Sequence, residues 1–388
     1  MLTHKLNLRH LAAMSAVRAA GSISAAARDV CLTQPAVTQA VAKLERQFGE
    51  PLFERGHDGM TPTEAGVILA ERVDVALRLI GSRRATMAQI RAFLAVCTHG
   101  SYAEAAKSTG LAEASLHRAV GDLSIALATK LCSRRGRGLA ISRRGYDIAR
   151  ALRLAMIEID AARIEIAALA GREIGAIRIG AMPLARARIL PDAVTAFHKL
   201  CPGTTIAIVE GSYAELVGPL RDGHIDLMVG ALRPAETDYI CGEPLFQDLP
   251  LIVGRSGHPL AAPRGGHRAA DLLSYPWIMP APGTPLRALW SRMFETLGAE
   301  PPDVSLECGS VMMIRQLLMG GDHLTLLSED QVAVELEAGW LRSFGPAPGD
   351  LGRTIGVSVR SDWRPTAHQK QFLDLLRTAS VTSAAFIS

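Results

Sequence analysis

The sequence predicts a multi-domain chain: two small α-rich units in tandem, one long helix, and an α/β C-terminal half. Three observations predict it. A segment opening the chain recurs once at a fixed offset, apolar residues then step at heptad spacing from Ile148 to Leu169, and strand-like runs alternate with helix-like ones from Ala176 onward. The 388 residues exceed one domain of roughly 100–200 residues.

Gly21-Ser22-Ile23-Ser24-Ala25-Ala26-Ala27 aligns with Gly100-Ser101-Tyr102-Ala103-Glu104-Ala105-Ala106, an offset of 100 − 21 = 79, and the match runs on without a gap. Leu8 meets Met87, Leu11 meets Ile90, Val17 meets Val96, Val37 meets Leu116, Val41 meets Val120 and Leu44 meets Leu123. Leu52 meets Leu131, and Gly59 and Gly66 meet Gly138 and Gly145. One supersecondary unit is present twice.

In the first copy, Leu8, Leu11, Met14 and Val17 give a helix that Gly21 ends, with Ser22 placed to cap a second helix reaching about Val30. Thr33 is a good N-cap for a third helix, and Pro35 is tolerated in its first turn. Val37, Val41, Leu44 and Phe48 give that helix one buried face. Its other face carries Gln34, Pro35, Thr38 and Gln39, short or amide side chains suited to base edges in a DNA major groove. Leu52 to Thr61 reads as two extended runs around a glycine turn, a wing with Arg55 placed for phosphate. Thr61-Pro62-Thr63-Glu64 predicts a capping box opening a fourth helix.

These residues resemble the LysR family of bacterial transcription regulators: Ala26-Ala27, Leu32 to Gln39, Lys43-Leu44-Glu45, Gly49 to Arg55 and Thr61 to Gly66. The resemblance covers the whole first copy. It implies a winged helix-turn-helix and places DNA contacts at Thr33, Gln34, Pro35, Ala36, Thr38, Gln39, Lys43 and Arg55. It also implies double-stranded promoter DNA and RNA polymerase as partners, with assembly as a homodimer or homotetramer. The second copy keeps the apolar pattern and loses the recognition chemistry: Thr33 becomes Ala112, Gln34 becomes Glu113, Thr38-Gln39 becomes His117-Arg118, and the capping box becomes Ala140-Ile141-Ser142-Arg143. Its hairpin segment is basic, with Arg134, Arg135 and Arg137. Two roles stay open, a weaker phosphate contact through His117, Arg118 and these arginines, or a spacer. The family pattern has one such domain, so the second copy is a departure.

Ile148, Leu152, Ala155, Ile159, Ala162, Ile166 and Leu169 step by 4, 3, 4, 3, 4, 3, an a/d seam about 35 Å long. It predicts a dimerisation helix, as the resemblance also implies; packing of the helix on its own domain is the alternative. From Ala176, a βαβαβ order predicts a parallel sheet with helices on both faces, which binds ligands beyond the carboxyl ends of its strands. Arg221 to Leu227 and Gly257 to Leu260 resemble LysR effector domains, two α/β lobes like a periplasmic binding protein, with a small-molecule effector between them. The chain is expected to cross between lobes near Val253–His258 and return near Gly352–Val357. The expected organisation is winged domains at 1–84 and 85–145, a linker helix at 146–172 and an effector domain at 173–388, with lobe I at 173–253 and 357–388 and lobe II at 254–356. Helix starts after strands nominate Pro183, Leu184, Ser212, Tyr213, Thr284 and Ser310 for the effector, each also readable as an ordinary cap. Arg315 to Leu318, Asp322 to Ser328 and Asp362 to Thr366 look most like the branch of galactose-binding-protein regulators, and the effector is expected to be a sugar or an aromatic or organic acid.

The formal charge of +4 divides unevenly. Residues 1–172 hold 24 Lys+Arg against 15 Asp+Glu, a net of +9, leaving 18 against 23, or −5, for the remainder. The basic half suits a polyanion. The sequence contains no GxSxG, HExxH, GxxxxGK[ST] or strand-borne GxGxxG, so no catalytic residue, metal ligand or cofactor is expected; an α/β enzyme and an effector-independent architectural DNA-binding protein are the competing classes. Six scattered cysteines read as small, mostly buried thiols. No apolar run approaches the roughly 20 residues of a membrane span and no export signal opens the chain, so a cytoplasmic protein is expected.

Overall fold

The computed structural model describes residues 6–56, 59–135, 138–172, 174–233, 239–260 and 267–385. Its contacts divide it into two compact units: residues 1–176 with 203–205, and the remainder.

The first unit opens with α1 (Leu8–Ala20), α2 (Ile23–Asp29) and α3 (Gln34–Phe48), then a hairpin of β1 (Phe53–Gly56) and β2 (Gly59–Pro62), and α4 (Glu64–Ile80). The second copy repeats the order as α5 (Met87–His99), α6 (Tyr102–Thr109), α7 (Glu113–Ala126), β3 (Cys132–Arg135), β4 (Gly138–Ile141) and α8 (Arg143–Leu169). Local chemistry sets the breaks. Gly21 ends α1 in the left-handed region at φ 66°, Ser22 Oγ accepts the Ala25 N–H, and Thr33 Oγ1 accepts the Ala36 N–H at 3.3 Å, as the sequence predicts.

The expected capping box is displaced by two residues. Pro62 closes β2, and Thr63 rather than Thr61 caps α4, accepting the Gly66 N–H at 3.1 Å and donating to the Pro51 carbonyl at 2.7 Å. Ser142 does the same in the second copy, accepting from Gly145 and donating to the Lys130 carbonyl, both at 2.9 Å. The cap is therefore kept in both copies. A Cβ on Gly66 would stand 2.0 Å from the Leu52 carbonyl oxygen, and one on Gly145 would stand 2.4 Å from that of Leu131. The hairpin root approaches the helix too closely for any side chain, which explains why glycine recurs there.

The helix expected to begin at 146 is continuous with the one that ends the second winged domain. It spans 27 residues, or about 40 Å. Its seam is covered by this chain: Leu152, Ala155, Ile159, Ala162 and Ile166 are buried in one core with both copies, Ile148 is half-buried, and Leu169 is exposed. The covering element is α4, whose own stripe of Leu69, Val73, Ala76 and Ile80 is buried. The expectation of an interchain seam is thus corrected to an intrachain pairing. Arg72 of α4, 4% exposed, donates to Glu158 at 3.1 Å and to Glu165 at 2.7 and 3.2 Å. Burial disfavours the Arg72 charge, but hydrogen bonds and charge from Glu165 and Glu158 outweigh it and raise its pKa.

The second unit has two cores on either side of a double crossover. Strands β5 (Ala176–Ala181), β6 (Thr205–Glu210), β7 (Leu227–Ala231) and β8 (Ile240–Asp248) build lobe I with α9 (Ile189–Leu200) and α10 (Tyr213–Arg221). Lobe II follows as β9 (Leu251–Arg255), α11 (Ala269–Leu273), β10 (Ile278–Met279), α12 (Pro285–Thr296), β11 (Leu306–Glu307), α13 (Val311–Met319), β12 (Thr325–Leu327), α14 (Glu329–Glu337) and β13 (Leu341–Pro346). The chain returns to lobe I through β14 (Arg353–Arg360) and α15 (Ala367–Ala385). The lobe I sheet has order β6-β5-β7-β14-β8. Strands β5 and β7 are parallel, but β14 runs antiparallel to β7 and β8, so the sheet is mixed rather than wholly parallel. Helices cover both faces: Ile177, Ile179, Phe197 and Phe372 fill one core, Met182, Leu216 and Met228 the other.

The chain crosses at Leu249–Pro250, since β8 pairs in lobe I and β9 pairs with β12 and β13 in lobe II. It returns between Pro346 and Arg353. Both crossovers precede their expected positions, because Val253 and Gly254 continue a lobe II strand. Two of the cysteines, Cys31 and Cys241, are exposed, against the reading of mostly buried thiols.

Candidate functional site

Helix α3 divides cleanly by face. Val37, Val41, Leu44 and Phe48 are buried in the shared core, which fixes the helix rotationally and turns Gln34, Pro35, Gln39 and Lys43 outward to solvent. Ala36 and Thr38 are half-buried at the edge of that surface, with Thr33 exposed at the cap. The Thr38 hydroxyl donates to the Gln34 carbonyl at 3.0 Å, so it offers a neighbour an acceptor oxygen and a methyl group. Gln34 and Gln39 keep donor and acceptor amide ends exposed. The hairpin is fastened to the turn between α1 and α2: the Met60 N–H donates to the Gly21 carbonyl at 3.0 Å. Gly59, at φ 122°, sits where a Cβ would stand 2.6 Å from that same oxygen. Arg55 is paired opposite Met60 in the hairpin register.

The second copy presents a different surface. Ala112 leaves α7 without a side-chain cap. His117 stacks on Tyr102, with ring centroids 3.5 Å apart and planes at 22°, and its Nε2 lies 3.8 Å from Glu113. It is held by its own domain, an engagement that two aromatic-type residues far apart in sequence do not signal. Arg118, Arg143 and Arg144 are exposed. Arg134 and Arg135 occupy β3, opposite Leu139 and Gly138; Arg137 lies outside the described residues.

In the second unit, the nominated residues gather in two pairs of turns. The Gly211 N–H donates to the Ala181 carbonyl, bringing the turn that holds Pro183 beside that of Ser212 and Tyr213. Strands β10 and β11 are parallel neighbours, so Thr284 and Ser310 follow adjacent strand ends in lobe II. Leu184 is a correction: at 6% exposure it packs into the lobe I core, because the turn after β5 directs it inward. Ser212 Oγ donates to Glu215 at 2.8 Å within a capping box, Thr284 Oγ1 donates to the Ala281 carbonyl at 2.9 Å, and Ser310 caps α13. The Arg233 guanidinium lies 4.9 Å above the Tyr213 ring.

Charged groups that the sequence reading passed over join the lobes. Arg188, in the turn after Pro183, meets Asp330 in the first turn of α14 at 3.3 Å. Asp248, at the outward crossover, accepts from Ser328 at 2.9 Å and from Arg353, at the return crossover, at 2.6 Å, while Arg353 also donates to Ser328 at 2.8 Å. No motif marks this triad, since its members are dispersed across lobe boundaries. Among the described residues, no three His, Cys, Asp or Glu side chains form a metal-binding group.

A helix-turn-helix with a hairpin wing, followed by a two-lobed α/β domain, defines a ligand-responsive DNA-binding regulator. The chain belongs to the LysR family. The model for the bacterial regulatory helix-turn-helix protein, lysR family, matches twice, over residues 8–67 and 87–146, and the LysR substrate binding domain matches residues 170–380. The HTH-type transcriptional regulator GalR of Pseudomonas putida is 31% identical over 373 residues, 92% of either chain, a match that must run through both winged copies. The HTH-type transcriptional regulator PcaQ of Agrobacterium fabrum is 28% identical over 300 residues, 77% of this chain and 96% of that one. Among solved structures, a full-length OxyR variant from Pseudomonas aeruginosa matches at TM-score 0.57 and 19% identity, covering 76% of this chain and 93% of its own. Full-length CbnR complexed with its target DNA matches at 0.52 and 18%, covering 75% and 98%. These two establish the likeness of fold.

Proposed function

We propose that the first winged domain reads promoter DNA by laying the start of α3 in the major groove. Gln34 and Gln39 meet base edges, Thr38 offers its methyl and oxygen, Pro35 and Ala36 shape the contact, and Lys43 and Arg55 hold phosphate while Thr33 keeps the helix start capped. The observation that carries this reading is the division of α3: its apolar side is locked in the core while its amide side chains are exposed. A sugar, or an aromatic or organic acid, binds where the turns at Pro183, Ser212, Tyr213, Thr284 and Ser310 leave the strand ends. Ligand binding alters the lobe angle by favouring one state over the other. The protein acts in the cytoplasm as a homo-oligomer that influences RNA polymerase and catalyses no reaction.

Gel-shift titrations of Thr38→Ala and Gln39→Ala test the DNA reading. Each is expected to cost about 1–3 kcal/mol of discrimination on the preferred site. An unchanged base preference in both variants refutes it. A thermal-shift screen of sugars, sugar acids and aromatic acids tests the effector reading, and turnover of a stabilising compound would favour an enzyme.

A further inference from the structure

The two copies do not merely follow one another. Helices α4 and α8 are equivalent segments of the repeat, since 143 − 64 = 79, and they pack along each other in one continuous core. They run antiparallel. Arg72, midway along α4, meets Glu158 and Glu165, and just beyond the end of α8, Arg172 donates to the Phe48 carbonyl, near the hairpin root from which α4 starts. Just beyond the end of α4, Ser82 donates to the Ala126 carbonyl at 2.8 Å. Each helix therefore leads to the last residue of the other copy's third helix, α3 or α7. Antiparallel packing of two equivalent helices relates them by an approximate two-fold axis perpendicular to their plane. Points related by a two-fold stand at the same height along it, so α3 and α7 present to the same side.

We propose that one chain forms a complete, asymmetric two-reader DNA grip, in which the first copy reads bases and the second holds only phosphates of the same duplex. The proposal rests on the reading of α3 given above. Paired readers related by a two-fold engage duplex sites about one helical turn apart. The second reader has changed sign and chemistry in the direction of phosphate: Gln39 is replaced by Arg118, exposed Glu64 by exposed Arg143, and buried Ala65 by exposed Arg144. Its α7 start has lost what a base reader needs. The cap is absent, Glu113 brings an acid to the first turn, and His117 is stacked on Tyr102. Guanidinium groups bind phosphate without sequence preference.

The probe is a 40-base-pair duplex carrying the site that the full-length protein selects from a randomised pool, with affinity measured across a salt series and protection mapped by hydroxyl radicals. The triple variant Arg118→Ala, Arg143→Ala, Arg144→Ala changes exposed side chains only. It is expected to lower the slope of log affinity against log salt by about 2–3, at about 0.9 per lost phosphate contact. It should also erase protection on one flank, about one turn from the selected sequence, and leave the base preference intact. Thr38→Ala with Gln39→Ala should flatten the preference and leave the salt slope unchanged. If the triple variant keeps slope and flank protection while the α3 variants lose preference, the second copy does not grip DNA and the reading of the first stands. If neither set changes anything, both readings fall.

Discussion

Arg72→Met tests whether the α4–α8 pairing holds the two winged domains together. The substitution keeps most of the side chain's apolar length and removes the charge that balances Glu158 and Glu165. Arg72 is 4% exposed and Glu158 8%, so the carboxylates lose their cation where water compensates poorly. Breaking a buried pair by removing one partner costs about 3–5 kcal/mol. For a unit of this size each kcal/mol moves the midpoint by about 2–4 °C, giving a fall of roughly 10 °C in its transition. Calorimetry of the full chain reads the shift, and hydrogen exchange followed by mass spectrometry assigns it, with faster exchange expected in residues 64–80 and 143–169. Adding Glu158→Leu and Glu165→Gln should recover most of the loss, since the penalty is that of uncompensated charge. A change below about 1 kcal/mol on the Arg72→Met background would refute a structural role for the cluster.

Three further outcomes follow from the geometry. Asp248→Ala removes the acceptor shared by Ser328 and Arg353 and should cost the second unit about 3 kcal/mol, with faster exchange at 249–250 and 347–352; unchanged exchange there would show that the triad does not brace the crossovers. His10 is held below its ordinary value of 6.5 by burial and then by Lys43, and His258 chiefly by burial. The unfolded chain therefore takes up protons first, stability falls as pH drops from 6.5 toward the folded values, and His10→Gln or His258→Gln should flatten that fall in urea titrations; equal slopes in wild type and variants would contradict it. Gly66→Ala and Gly145→Ala each force a methyl group against a carbonyl oxygen and should cost about 1–3 kcal/mol apiece by thermal unfolding, whereas a neutral result at either would break the equivalence of the two hairpin roots.

Features decided by neighbours in sequence were legible without a structure. Gly21, Ser22 and Thr33 end and cap helices through atoms two to four residues away, so residue type and spacing sufficed. The fourth cap was missed by two positions because Thr61 and Thr63 both precede an acceptable first turn, and only the pairing of β2 removes Thr61. The heptad seam of α8 announced a partner helix but could not say on which chain it lay. Its partner's stripe, Leu69 to Ile80, was present in the sequence, and what was missing was the antiparallel juxtaposition. Leu184 was misassigned for a similar reason, since a residue just after a strand points to ligand or to core according to a turn geometry that spacing does not encode.

The ion cluster between α4 and α8 also bears on which helices can pair. Symmetry would place the counterpart of Arg72 at Ala151 (72 + 79) and those of Glu158 and Glu165 at Leu79 and Thr86, so the charges occupy only one of two related positions. A homodimer cannot make such a choice, because every substitution appears on both sides of an isologous interface. Pairing α8 with α8 of a second chain would bring Glu158 and Glu165 toward their own copies without Arg72, and pairing α4 with α4 would oppose two Arg72 side chains. Both alternatives bury like charge, which costs several kcal/mol per ion, whereas α4 packed on α8 sets the Arg72 cation against both carboxylates. The cluster thus selects α4–α8 pairing over α4–α4 or α8–α8 pairing, and a register fixed in this way frees the outward surfaces of the two copies to diverge.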